Sequence, residues 1–296
     1  MKSVPRAPSL LHQFRATPTL LQGSPKRARS ILFLLPDGSG SATSYASLLP
    51  ISPDGDIAVY GLNCPWLKDA KHLVEFGLRG LAELYVSEIL RRQPQGPYHP
   101  NLTPYDLGGW SAGGICVYEV ALMLTRAGHR VDRLILIDSP SPIGLEKLPP
   151  RLYDFLDAQN VFGSENPHGA AGGGSKAPEW LLAHFLAFVE ALDKYVSGPL
   201  PLPPRAYLLW AEDSVCKNPE DPRPDYSEDD PREMRWLLEN RTSFGPNEWE
   251  ALLGGEENTF VDRISGANHF TMLKGGRNAG LVADFLARAF AKLSVT

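Results

Sequence analysis

The segment LGGWSAGG, residues 107–114, constrains the fold most strongly, because it places one serine among four glycines. It begins inside the run YDLGGW, which predicts a strand, and leads into a helical pattern over residues 112–126. Gly109 and Gly113 lie two residues before and after Ser111, where a Cβ atom would collide with a closely packed strand and helix. The segment therefore predicts a sharp strand–turn–helix bend that leaves the Ser111 hydroxyl exposed.

Short apolar runs alternate with helical patterns along most of the chain. The runs predict buried strands at 31–36, 57–62, 105–110, 134–138, 206–210 and 259–265, and the patterns predict helices at 72–93, 112–126 and 278–293. Strands that are separated by helices require right-handed crossovers between neighbouring strands. The order of elements therefore predicts an α/β fold, with a mostly parallel sheet that is covered on both faces.

Two segments depart from this alternation. Residues 1–29 contain prolines and basic residues without sustained periodicity, which predicts a linker or N-terminal arm in front of one domain at residues 30–296. Residues 139–204 interrupt the alternation and include the amphipathic segment PEWLLAHFLAFVEALDKYV. A compact domain rarely holds a structureless loop of this length, so we predict a helical insertion that covers a site as a lid.

The bend at Ser111 is typical of a nucleophile, and the alternative is a glycine-rich helix start that cradles a phosphate. No phosphate-binding lysine follows the glycines, which favours the nucleophile. A serine nucleophile needs a base, and His269 lies between the last predicted strand and helix, in the order serine, acid, histidine that is expected of this architecture. His184 is the competing histidine, but it lies within the insertion helix, where a packed or substrate-facing ring is more common.

The acid and the oxyanion hole have alternative candidates. Asp138 ends the strand LILID, and Asp213 follows the next strand, the position that many hydrolases of this fold use. Spacing alone does not choose between these two aspartates. An oxyanion hole needs two N–H donors, and we assign Ala112 together with Gly38 or Ser39 from the turn PDGSGS, for which a simple flexible turn is the alternative.

The charge balance argues against nucleic acid or an anionic membrane as partner, since 29 Lys and Arg face 34 Asp and Glu, a net charge of -5. The three cysteines, Cys64, Cys116 and Cys216, are too few and too scattered for a disulfide framework or a zinc site. The longest apolar run near the start, ILFLL, is far too short to span a bilayer. We therefore expect a soluble, cytoplasmic protein without a metal site.

Eight motifs together resemble one enzyme family. From about Ser30 to its end, the chain is similar to the carboxy-terminal thioesterase/Claisen cyclase domain of fungal non-reducing polyketide synthases, in particular those that make naphthopyrone- and naphthalene-type pigment precursors. The motifs are FLLPDGSGSATSYASL, VYGLNCPW, EILRRQPQGPY, LGGWSAGGICVYE, RLILIDSPSP, LPPRLYDFL, RTSFGP and GANHFTML. Their joint presence is far more specific than the pattern G-x-S-x-G alone.

The resemblance implies an α/β-hydrolase fold and a role for each candidate residue. It favours Asp138 over Asp213 as the acid of the triad. Ser111 would accept a polyketide from the phosphopantetheine of an acyl carrier protein or the remainder of a synthase, with no cofactor of the domain's own. His269 would be the base for the serine and for a carbon acid, and an enolate carbon of the bound chain would attack the seryl ester and close a ring.

This chemistry requires that water be kept from the ester, because hydrolysis competes with ring closure. The insertion helix offers Trp180, Phe185 and Phe188 as an apolar cover, and Trp66 is a further candidate to line the chamber, although such residues more often pack in a core. Two alternative functions remain. One is a hydrolase of thioesters or polyketides with the same triad, and the other is a non-catalytic module that docks a carrier protein.

One segment departs from the family pattern. Between GPY and LGGW this chain has additional residues, in the sequence GPYHPNLTPYDLGGW. Because proline cannot donate to a sheet ladder, we expect the strand to begin at Tyr105 and the additional segment to bulge from the end that lies away from Ser111. A shift of strand register would instead turn every side chain to the opposite face.

Overall fold

A seven-stranded sheet forms the centre of the computed structural model, which describes residues 10–93, 104–159, 161 and 179–291. The strands are β1 Thr17–Gln22, β2 Ser30–Leu35, β3 Ile57–Asn63, β4 Tyr105–Trp110, β5 Val131–Ile137, β6 Arg205–Ala211 and β7 Thr259–Ile264. Their order in the sheet is β1-β3-β2-β4-β5-β6-β7. β1 pairs antiparallel with β3, and the other pairings of these strands are parallel. The predicted mostly parallel sheet is confirmed.

Helices cover both faces of the sheet. They are α1 Lys71–Arg92, α2 Ala112–Arg126, α3 Pro150–Ala158, α4 Glu179–Asp193, α5 Arg232–Leu238, α6 Trp249–Leu253 and α7 Gly275–Phe290. Phe33 and Leu35 of β2 share a core cluster with residues of α1 and α2, whereas Leu32 and Leu34 share another with residues of α7. Successive residues of a strand point to opposite faces, so the predicted double cover is confirmed. Among the described residues, no helix is long and apolar enough to cross a membrane.

The predicted N-terminal arm contains a strand that the sequence pattern did not indicate. Within residues 1–29, β1 pairs with β3 from Thr17 opposite Asn63 to Gln22 opposite Val59. β1 lies at the edge of the sheet, and its residues are exposed or half-buried, with Leu20 47% exposed, so it lacks the apolar pattern of a buried strand. The assignment of this stretch as a linker or arm therefore missed an edge strand.

The insertion at 139–204 holds two helices in its described part. α4 lies within the predicted amphipathic segment, and α3 begins at Pro150, a residue that favours the first turn of a helix. α3 packs against α5, since Leu152 and Leu156 share a cluster with Met234 and Leu238. The insertion also contains the glycine-rich sequence GAAGGG at 169–174, which lies outside the described residues.

The nucleophile strand β4 begins at Tyr105, as its sequence predicts. Its register against β5 shifts between Tyr105 and Asp106 and is then continuous to the pair of Trp110 and Ile137. The end of β4 that leads to Ser111 is therefore paired regularly. The additional segment, around residues 99–105, lies mostly in 94–103, outside the described residues, so its expected bulge stays a prediction.

Candidate active site

Ser111 lies at the bend between β4 and α2 in a strained backbone conformation, with φ 57° and ψ -130°. Two close contacts explain the flanking glycines. A Cβ atom on Gly109 would lie 2.2 Å from the carbonyl oxygen of Gly113, and one on Gly113 would lie 2.3 Å from the carbonyl oxygen of Pro36. The Ser111 N–H donates to the carbonyl of Ile137 at 2.9 Å, which ties the bend to the neighbouring strand.

Ser111, His269 and Asp138 form one hydrogen-bonded chain. His269 Nε2 lies 2.9 Å from Ser111 Oγ, and His269 Nδ1 lies 2.8 Å from Asp138 Oδ2. A carboxylate only accepts hydrogen bonds, so Nδ1 carries the donated hydrogen and Nε2 is left to accept from the Ser111 hydroxyl. Asp138 and His269 are both buried. This arrangement can remove the hydroxyl proton as the serine attacks.

The two competing residues make other contacts. Asp213 Oδ2 forms an ion pair with Lys217 Nζ at 2.8 Å. His184 is fully buried, and its Nδ1 donates to the carbonyl of Gly38 at 2.9 Å. Burial lowers the pKa of His184, so its ring is neutral near pH 7. The structure thus brings Asp138 and His269 to Ser111, and it places Asp213 and His184 elsewhere.

Arg241 is a residue of this site that the sequence analysis missed. Its Nη1 and Nη2 donate to Oδ1 and Oδ2 of Asp138, the second at 2.9 Å, and its guanidinium carbon lies 3.9 Å from the ring centroid of Trp236. The Ala211 N–H also donates to Asp138 Oδ1, at 2.8 Å. The motif RTSFGP contains Arg241, but nothing in its spacing shows that this arginine is buried against an acid.

These contacts decide the charge of the acid. Burial alone would raise the pKa of Asp138, but the charge and hydrogen bonds of Arg241, together with His269, outweigh burial and lower the pKa of Asp138 to about 2. The carboxylate is therefore ionised at neutral pH. It is also fixed in orientation by Arg241, so that one oxygen faces His269.

We expect Arg241→Met to lower the free energy of unfolding by about 3 kcal/mol, because it leaves the buried Asp138 charge without its partner. Misorientation of the acid should slow the reaction of Ser111 with a fluorophosphonate about a hundredfold. Without Arg241, burial raises the pKa of Asp138. As the pH is lowered, the variant should therefore lose its labelling by the fluorophosphonate at a higher pH than wild type does.

Denaturant unfolding and labelling rates across pH measure these effects. Arg235→Met is the matched control, because Arg235 is an exposed arginine near the same site, on α5. A folded Arg241→Met protein with the wild-type labelling rate and pH profile would contradict the assignment.

The three candidate residues of the oxyanion hole differ in which cavity beside Ser111 they line. Ala112 is the first residue of α2, so its N–H has no acceptor within the helix. Gly38 lines the same cavity as Ser111 and Ala112, whereas Ser39 lines a second cavity and its Oγ donates to Asp37 at 2.6 Å. A Cβ atom on Gly38 would lie 2.7 Å from the ring of Phe185, which explains this glycine. Each residue adjoins a cavity that also contains Ser111, so Gly38 and Ser39 both stay predicted partners of Ala112.

An apolar cavity of about 760 Å³, including its open mouth, begins at Ser111. We call it the apolar chamber, and residues that line it include Leu145, Leu156, Phe185, Phe188, Trp236 and Leu237. Two predicted aromatic residues, Phe185 and Phe188, therefore lie where the sequence analysis placed them. Trp66 does not line the chamber. It is 1% exposed and stacks on Phe76 in the core, with ring centroids 5.5 Å apart.

A second cavity of about 1300 Å³ meets the apolar chamber at Ser111. We call it the hydroxyl-rich groove, because one wall carries Ser39, Ser41, Thr43, Ser44 and Ser47. Trp180 of α4 and Lys274 also line this groove, so Trp180 faces a different cavity from Phe188. The two cavities share Ser111 and His269. Ser111 therefore lies where the apolar chamber and the hydroxyl-rich groove join.

The cysteines offer no competing nucleophile in this structure. Burial raises the pKa of Cys64 to about 12, and it also raises the pKa of Cys116 and of Cys216. Their thiols therefore stay protonated and weakly nucleophilic at neutral pH. In the part of the chain that the structure describes, no group of three or more His, Cys, Asp or Glu side chains could hold a metal ion.

Comparison with known proteins matches the thioesterase domain family to residues 30–288. The non-reducing polyketide synthase PKS12 of Gibberella zeae is 73% identical over 290 residues, which cover 94% of this chain and 14% of that protein. Polyketide synthase 1 of Metarhizium album is 58% identical over 287 residues, which cover 95% of this chain and 12% of that protein. The chain thus spans a small part of the length of these curated relatives.

Solved structures of thioesterase domains share the fold. The NocB thioesterase domain, in a covalent complex with a fluorophosphonate nocardicin G analogue, has a TM-score of 0.62 at 21% identity and covers 93% of this chain and 98% of its own. The surfactin thioesterase domain SrfTE has a TM-score of 0.53 at 20% identity and covers 95% of this chain and 98% of its own. The predicted α/β-hydrolase fold is confirmed.

Proposed function

The chain belongs to the thioesterase domain family, and from that premise we propose that it releases a carrier-bound aromatic polyketide through an ester on Ser111 by Claisen ring closure. The single observation that carries this proposal is the position of Ser111 Oγ, 2.9 Å from His269 Nε2 and at the junction of the two cavities. The polyketide synthases among its relatives support the substrate class.

In the first step Ser111 Oγ attacks the thioester carbonyl while His269 Nε2 takes the hydroxyl proton. The ionised Asp138 stabilises the imidazolium that forms, and the N–H groups of Ala112 and Gly38 stabilise the developing oxyanion. The imidazolium then returns its proton to the leaving thiolate. The acyl group is left on Ser111, and the carrier departs with a free thiol.

The two cavities divide the substrate between them. The acyl chain occupies the apolar chamber, and the phosphopantetheine arm, which carries amides, a hydroxyl and a phosphate, lies in the hydroxyl-rich groove. Lys274 in that groove offers a cation to the phosphate. The partner that fits this arrangement is an acyl carrier protein or the remainder of a polyketide synthase.

In the second step His269 removes a proton from an activated methylene of the bound chain, and the enolate carbon attacks the seryl ester. A carbon–carbon bond forms, the carbonyl–oxygen bond to Ser111 breaks, and Ser111 regains a proton from His269. The apolar lining favours this route over hydrolysis, because it limits access of water to the ester. The hydrogen-bonded chain from Ser111 to Asp138 disfavours a module that only docks a carrier.

Product analysis tests the proposal against a hydrolase. We expect the protein to convert a polyketide thioester, in water labelled with heavy oxygen, into a ring-closed product that contains no label. A reaction without protein controls for spontaneous ring closure. A free acid labelled in its carboxylate, without ring closure, would contradict the Claisen step and support hydrolysis.

A further inference from the structure

Two buried polar atoms in the wall of the apolar chamber have no hydrogen-bond partner among the residues that the structure describes. They are Tyr153 Oη and Glu233 Oε2. Tyr153 is 6% exposed and Glu233 is 4% exposed, and both residues line the chamber that begins at Ser111. The proposed acylation and ring closure use neither residue.

Buried polar groups nearly always have a hydrogen-bond partner, and a missing partner costs about 1–3 kcal/mol. The two side chains are nevertheless held in place. Glu233 Oε1 accepts a hydrogen bond from Arg232 Nε at 2.6 Å, and the Tyr153 ring packs edge-on against Phe185, with centroids 5.6 Å apart. Each side chain is thus held by one contact, while its remaining polar atom has no hydrogen-bond partner among the described residues.

The surroundings connect both residues to the reacting serine. Trp236 lies one helical turn after Glu233 on α5, and its ring contacts the His269 ring edge-on, with centroids 5.1 Å apart. Phe185, the neighbour of Tyr153, lies against Gly38. The packing of α3 on α5 joins the two helices into one wall of the chamber. Groups in this wall can therefore set the position of an acyl chain that is attached to Ser111.

We propose that Tyr153 and Glu233 form a recognition site for a hydroxylated acyl chain. The Tyr153 hydroxyl donates to a carbonyl or hydroxyl oxygen of the chain, and Glu233 Oε2 accepts from a phenolic or enolic hydroxyl. This assignment rests on the proposed function, because it takes the apolar chamber as the acyl site. Both are positioning residues, since they hold the chain while its carbon attacks the ester.

The chemistry of the two groups fits these roles. Burial raises the pKa of Tyr153, so its hydroxyl stays protonated and remains a donor. Arg232 Nε donates to Glu233 Oε1 at 2.6 Å, which leaves Oε2 to accept from a phenolic hydroxyl. Sites that hydrogen-bond a substrate hydroxyl discriminate strongly against analogues that lack it, because the protein groups are then left unpaired.

Two matched thioester probes test the proposal, one with a hydroxyaryl acyl group and one with the same aryl group without the hydroxyl. We expect wild type to prefer the hydroxylated probe at least about tenfold in kcat/KM. Tyr153→Phe and Glu233→Gln should each reduce this preference to a few-fold, mainly by raising KM for the hydroxylated probe. Each substitution removes or replaces one polar atom at nearly constant shape. Tyr226→Phe and Glu239→Gln, at exposed positions outside the chamber, are the controls and should keep the ratio.

An equal reaction of wild type with both probes would overturn the proposal, as would a ratio that neither variant changes. Labelling of Ser111 by a small alkyl fluorophosphonate separates this failure from failure of the proposed function. A protein that is labelled and transfers acyl groups, but shows no hydroxyl preference, lacks only the recognition site. A protein whose Ser111 is not labelled and accepts no acyl group fails the proposed function itself.

Discussion

Ser111→Ala is expected to abolish acyl transfer. It should lower kcat by about 10⁶-fold, the loss that is typical when a serine protease loses its nucleophile. Among the described residues at the junction of the two cavities, Ser111 is the hydroxyl side chain that lies within hydrogen-bond distance of a histidine, at 2.9 Å from His269 Nε2. The fold should persist, because the Ser111 side chain contributes one hydrogen bond at the rim of the cavities. Thiol release from a thioester substrate measures the effect.

Ser87→Ala is the matched control, since Ser87 is an exposed serine on α1 whose hydroxyl donates to the Glu83 carbonyl. It should react at the wild-type rate. Thermal unfolding of both variants establishes that they are folded. A folded Ser111→Ala protein that releases thiol at the wild-type rate would exclude Ser111 as the nucleophile.

Asp138→Asn should lower kcat by about 10⁴-fold at neutral pH, because an amide there no longer holds the histidine in the required tautomer. The substitution also removes the negative charge that faces Arg241. Asp213→Asn is the matched control. It removes only an ion pair with Lys217, so it should change kcat by no more than a few-fold.

Steady-state rates of the two variants, measured side by side, decide between the aspartates. Titration of wild type with acid is a second measurement that bears on the acid. The low pKa of Asp138 should keep its carboxylate charged down to about pH 2 in the folded protein. A larger loss in Asp213→Asn than in Asp138→Asn would show that the wrong acid was assigned.

The sequence predicted the nucleophile and the base because local pattern determines them. Gly109, Ser111 and Gly113 mark a bend that few other segments can form, and His269 follows the last strand in the expected chain order. The acid was harder, since Asp138 and Asp213 follow neighbouring strands and spacing treats them alike. The resemblance favoured Asp138, and the contact with His269 agrees with that choice.

Other features could not be predicted because they depend on distant contacts. Arg241 lies 103 residues from Asp138 in the chain, and no local pattern marks an arginine that will be buried against an acid. β1 is an exposed edge strand, so hydrophobic periodicity was absent there. Trp66 is a predicted pocket residue, but its ring stacks on Phe76 in the core, a contact that the sequence pattern does not reveal.

The covalent role of Ser111 is tested by mass spectrometry of the protein, quenched during a single turnover of a polyketide thioester and then digested. We expect the acyl mass to appear on the peptide that contains Ser111 before the product forms, and to disappear at the rate of ring closure. Product formation without an adduct on Ser111, or with the acyl group on another residue such as Cys64, would contradict this role.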